Sequence, residues 1–361
     1  MGSKLSGDYN TSNGSASLFS NTTGSFSVAI GSEALYHNTT RSMLVAVGFK
    51  SLYNNGIGST DTWHATGNTA IGTQSLYTNT IGADNTAIGA QSLYLNTTGY
   101  RNTASGHNSL YNNTTGIENT AQGRFSLLSN TSGNYNTAVG CESGSVASAN
   151  NYCSFLGYDA DNNSTTSRTN SMALGNVARI TADNQVRVGN TSITSIGGYV
   201  GWTNLSDERF KDNIVENIPG ISFIAKLRPV SFNLNISKLN QYLNIPDSIT
   251  SNELQQNSIS QKESIRYTGF LAQEVEQAAK SIGFDFSGVD APKNDEDMYG
   301  LRYAEFVVPL VKAVQEQQDI ITSQKEEIEI LNKRIEEQNL INQELQSRLE
   351  KIELFMKNLI K

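Results

Sequence analysis

The chain has 361 residues, enough for two or three domains, and a net charge of −8 that is unevenly distributed. Residues 1–200 hold 8 Lys/Arg and 9 Asp/Glu with 24 of the 30 glycines, whereas residues 201–361 hold 18 Lys/Arg, 25 Asp/Glu and all five prolines. No run of 18 apolar residues and no basic stripe occurs, which argues against a membrane span and against phosphate-driven nucleic-acid binding.

Residues 1–6 have no apolar export core. Met-Gly with Ser6 fits a myristoylation pattern, but nothing around it supports that reading, so neither a signal peptide nor a lipid anchor is expected. From there the chain repeats with a period of 17. Asn68, Asn85, Asn102, Asn119 and Asn136 each open an Asn-Thr-Ala, followed by Gly72, Gly89, Gly106, Gly123 and Gly140. The Gly register reaches back to Gly31 and Gly48 and forward to Gly157, with one seven-residue insertion near Trp63. A Leu-aromatic pair recurs from Leu18-Phe19 to Leu110-Tyr111, and an Asn-Thr-Thr-Gly-like turn follows it.

A unit this short cannot bury its own apolar face, so the period predicts a stacked solenoid. Asn, Thr, Gly and Ser favour turns and short strands over helix, which makes residues 1–200 a mainly β solenoid or β-roll. With few large apolar groups per unit, association of several copies is expected to supply the missing burial. The repeat resembles the Asn-Ser/Thr-x-Ala-Ile-Gly head repeats of trimeric autotransporter adhesins, whose unit is shorter, and similar repeats occur in phage-type tail fibres.

The Asn-x-Ser/Thr sites, Asn21 and Asn38 among them, read as turn chemistry rather than glycan acceptors. His37, His64 and His107 occur singly, so no metal site is expected. Cys141 and Cys153 read as small packing residues rather than a disulfide framework. The nine acids of this half show no pairing of the kind glycan hydrolysis needs.

Residues 201–309 mix helix and strand signals. "DERFKDNIVEN" reads as a short helix closed by Pro219-Gly220, with Ser206 as a good N-cap. "LRPVSFNLN" reads as a strand, and "YTGFLAQEVEQAAKSI" as a strand turning into a helix. The polar stretch 236–264 fits no motif. From Leu310 onward the spacing alternates four and three through Val314, Gln317, Ile321, Gln324, Ile328, Leu331, Ile335, Gln338, Asn342, Leu345, Leu349, Ile352, Met356 and Leu359, which predicts a coiled coil over 310–361 with a few polar seam positions. The heptads are compatible with two or three strands.

Ser206-Asp207-Glu208-Arg209-Phe210-Lys211 is similar to the Ser-Asp-x-Arg-x-Lys opening of the intramolecular chaperone auto-processing domain that ends endosialidase tailspikes and many phage tail fibres. The blocks Gly269-Phe270-Leu271-Ala272-Gln273-Glu274-Val275 and Leu301-Arg302-Tyr303-Ala304-Glu305-Phe306 continue the resemblance, which covers about 202–325. It implies a homotrimer in which residues 201–309 and the coil template the upstream fibre, then cut the chain between Leu205 and Ser206. Ser206 would be the nucleophile, Lys211 the general base, and Asp207 and Arg209 supporting residues. The absence of His and Cys after residue 200 agrees, since it leaves no Ser-His-Asp triad or Cys nucleophile within that half. No cofactor is expected.

The implied role is host-surface attachment through a receptor, glycan or protein, by a virion tail fibre or an extracellular injection-system or cell-surface fibre. No anchoring segment is read ahead of the repeats, so a tail or baseplate protein is a further expected partner. The alternative is an adhesin or injection-system fibre whose C-terminal domain is an uncleaved trimeriser.

Overall fold

A computed structural model describes residues 7–359; the acylation pattern at 1–6 and the Leu359 side chain lie outside the described part. The chain divides into two compact units. One joins Met1–Gly201 with Phe232–Tyr267 and Pro292–Met298; the other joins Trp202–Ser231, Thr268–Ala291 and Tyr299–Lys361.

The first unit is built on a β-solenoid with one short strand per coil. Eleven strands, from Thr11–Asn13 and Val28–Ile30 through Thr86–Ile88 to Val186–Val188, form one parallel sheet, with Thr69, Ala70 and Ile71 in register with Thr86, Ala87 and Ile88. A second, two-stranded sheet pairs Asp161–Asn162 with Arg179–Ile180. Alternation along a strand sends the central alanine inward and its neighbours outward. Ala70, Ala87, Ala104, Ala121 and Ala138 are fully buried, while Ile71 and Ile88 face solvent.

The strand is closed by a glycine because the next coil leaves no room. Gly72 has φ +134°, and a Cβ there would lie 2.5 Å from the carbonyl oxygen of Gly89. After the turn the leucine points inward: Leu35, Leu52, Leu76, Leu93, Leu110 and Leu127 are fully buried. The aromatic residue that follows lies outside. The rings of Phe19, Tyr36, Tyr53, Tyr77, Tyr94 and Tyr111 stack one above another at 5.0–5.3 Å.

Two internal asparagine ladders run through this core. Asn102 shows the first: its N–H and side-chain amide both donate to Asn85 Oδ1 (2.9 and 3.1 Å), and the amide also donates to the Gly116 carbonyl at 2.8 Å. The second runs through Asn79, Asn96, Asn113 and Asn130 at 2.9 Å per step. These buried amides meet coil-to-coil polar groups beside a core of small alanines and one leucine per coil. The side-chain nitrogens of Asn21 and Asn38 are buried and donate to the carbonyls of Gly24 and Arg41, in keeping with turn chemistry rather than glycan attachment.

The polar stretch left unread in the sequence forms three helices, Ile236–Tyr242, Asp247–Thr250 and Glu253–Ser264. Asn235 and Asn252 cap the first and third by accepting from Lys238 and Gln255 N–H. Together with Pro292–Met298, these helices pack on the last coils. Leu243 and Ile245 bury Val177, with Leu239, Ile249 and Met298 around them.

In the second unit, Phe223, Val275, Ala278, Ala279, Phe286 and Phe306 form a compact core. The motif blocks noted in the sequence supply much of it: Phe270 stacks on Phe306 at 5.4 Å, and the Tyr303 hydroxyl accepts from the Phe270 N–H. Gly220 precedes a one-turn helix, Ile221–Ile224, where a Cβ would lie 2.7 Å from the Ala313 nitrogen; Ile221 N–H donates to Glu316 at 2.7 Å. A helix then runs unbroken from Val307 to Leu359, about 80 Å at 1.5 Å per residue. Its heptad residues Val314, Ile328, Ile335, Leu345 and Leu349 are each more than half exposed. The helix carries an open apolar seam.

The expected helix over "DERFKDNIVEN" is reduced to one 3-10 turn, Glu208–Phe210. Lys211 is extended at φ −118°, and the chain to Pro219 has no regular structure.

Candidate self-cleavage site

Leu205 and Ser206 lie in exposed chain without regular structure just ahead of that turn. Asp207 takes the N-cap position, φ −72° and ψ 128°, and its carboxylate accepts the Arg209 N–H at 2.9 Å. The expectation that Ser206 is the cap is therefore corrected. An aspartate in the next position competes for the same N–H with a charge in its favour. Arg209 then folds back so that its Nε and Nη2 grip both Asp207 oxygens at 2.6–3.1 Å. These hydrogen bonds hold the Asp207 carboxyl below the usual carboxylate range and raise the Arg209 guanidinium.

The turn closes with Lys211 N–H donating to the Glu208 carbonyl at 3.0 Å. One tight turn between residues 206 and 211 brings their side chains together: Lys211 Nζ donates to Ser206 Oγ at 2.9 Å. Both are solvent-exposed. Of the residues singled out in the sequence, Ser206 and Lys211 form one pair and Asp207 and Arg209 another. The arginine is engaged with the aspartate.

Among the described residues no group of three His, Cys, Asp or Glu could hold a metal, and Cys141 and Cys153 are both free thiols. Burial pushes the Cys153 thiol up to about 11. Asp159 pairs with the Arg179 guanidinium, and the buried Asp161 accepts from the Ser145 and Val146 N–H groups at 2.6 and 3.0 Å.

Residues 206–284 match the family described as peptidase S74, chaperone of endosialidase. The match begins at the serine that Lys211 contacts. The family is one of self-cleaving, peptidase-like domains, and a β-solenoid followed by this chaperone segment is a tail-fibre-like architecture. No curated protein matches the chain. No described helix is long and apolar enough to cross a membrane.

Sequence reasoning missed the acidic contacts of Glu296 and Asp297. Their arginine partners lie more than a hundred residues away, and no local pattern marks such a pairing.

Proposed function

We propose that the chain is a trimeric tail fibre whose chaperone segment templates assembly and then severs itself at Leu205–Ser206. The organisation would be a fibre part, 1–200, a chaperone part, 201–309, and a coiled coil, 310–361. The hydrogen bond between Lys211 Nζ and Ser206 Oγ carries this reading. Lys211 takes the hydroxyl proton as Ser206 Oγ attacks the Leu205 carbonyl carbon, and that proton passes to the departing Ser206 nitrogen. Water then hydrolyses the resulting ester, leaving a Leu205 carboxylate and restoring the Ser206 hydroxyl. The enzyme acts once, on its own chain or a neighbouring copy, and needs no cofactor.

A lysine serves as base only when neutral, a form that an ordinary ammonium with pKa near 10.4 seldom takes at neutral pH. Burial favours the neutral form. The pair is exposed in the single chain, so covering it on trimerisation would make cutting conditional on assembly. Asp207 and Arg209 support the site by fixing the turn between its two members. The fibre part would bind a host-surface receptor, held by a tail or baseplate protein of a virion or an extracellular injection system.

Denaturing gels of Ser206→Ala and Lys211→Ala proteins test the chemistry. Wild type should yield a fragment beginning at residue 206, and each variant should remain full length. Persistence of that fragment in both variants would overturn the dyad.

A further inference from the structure

We infer that, once cut, the chaperone segment stays seated on the solenoid as a noncovalent end cap. This builds on the proposed cleavage, but the contact that carries it is independent of the cut. Every inner coil hands its carbonyl groups to the N–H groups of a neighbouring coil. The last coils have no successor, and residues downstream of 206 take that place. Asn244 donates to the Asn163 carbonyl at 3.0 Å, Asn294 to Thr181 at 3.1 Å and Lys262 to Ile193 at 2.5 Å.

Charge and apolar burial reinforce the seat. Glu296 pairs with Arg168, which is only 5 % exposed, and accepts from the Ser164 hydroxyl at 2.9 Å. Asp297 is 8 % exposed; it accepts from the Thr181 hydroxyl at 2.6 Å and lies 3.6 Å from Arg187. Val177 is buried among Leu243 and Ile245. Departure of the segment would leave Arg168 unpaired, the terminal carbonyls unmet and Val177 bare, at a solenoid end that needs capping to stay soluble. Hydrolysis at Leu205–Ser206 breaks none of these contacts.

The test separates the cap from the cleavage. A site for a sequence-specific protease is inserted after Gly201 in the full-length Ser206→Ala chain, which is then cut and passed through a gel-filtration column. The two fragments should co-elute at micromolar concentration. Doubling the change with Glu296→Ala and Asp297→Ala should weaken the association roughly a hundredfold and release them. Leu243→Asp, which attacks the apolar side instead, should do the same. The circular dichroism of the released solenoid shows that its coils remain formed. Separation of the unaltered fragments, or co-elution of the altered ones as tight as the original, would overturn the cap. Failure of wild type to cut itself, with co-elution intact, would overturn only the self-cleavage.

Discussion

Asp161 shows how much chemistry the solenoid confines to single residues. Its side chain is fully buried, and although the Ser145, Val146 and Asn162 N–H groups favour the anion, burial outweighs them and pushes the carboxyl up from 3.8 to about 7. A raised folded pKa means that the native state holds its proton where the unfolded chain has lost it. The associated stability is fully present below about pH 4 and is lost as pH rises toward 7. Thermal midpoints of the uncut Ser206→Ala chain should therefore be higher near pH 5 than near pH 8, and adding Asp161→Asn should flatten that slope. A slope unchanged by the substitution would contradict this assignment. The inward leucines carry a different local cost. Leu76, Leu93 and Leu110 sit at φ 49–50°, a left-handed conformation that costs an L-residue roughly 1–2 kcal/mol, offset by complete burial of the side chain.

At the scale of elements, the ladders make each coil depend on the next. Replacing Asn102 by leucine would leave Asn119 N–H without its acceptor, 3.0 Å away in the native ladder, and would free the Gly116 carbonyl. Losing several buried partners at once should cost about 3 kcal/mol or more, read as a lower urea midpoint for the solenoid transition. An unchanged midpoint would show that the ladder contributes little. The solenoid was legible because a strict period places the same chemistry at every level: Asn68 predicts Asn85, and Gly72 predicts Gly89. The ladders were not legible, since composition does not show that each buried asparagine bonds to its own counterpart one coil away. Helices 236–264 were illegible for another reason. Their order comes from docking on the last coils rather than from any amphipathic period, and their partners lie far off in sequence. At the site, the resemblance to the chaperone opening pointed to Ser206 and Lys211, whose side chains lie 2.9 Å apart. Asp207's capture of the cap was not readable, because serine and aspartate in adjacent positions suit the same role.

For the whole molecule, two features point beyond one chain. The helix Val307–Leu359 carries an open seam of Val314, Ile328, Ile335 and Leu345, and the Ser206–Lys211 pair stands in solvent. Assembly into a trimer would close the seam and, by covering the pair, link folding to cutting. A dimer would also close the seam, so the copy number must be measured. Mass spectrometry of the purified product, first under native and then under denaturing conditions, tests this most directly. The account predicts a native particle of three copies that resolves on denaturation into residues 1–205 and 206–361. A particle of any other copy number, or one composed wholly of intact chains, would contradict it.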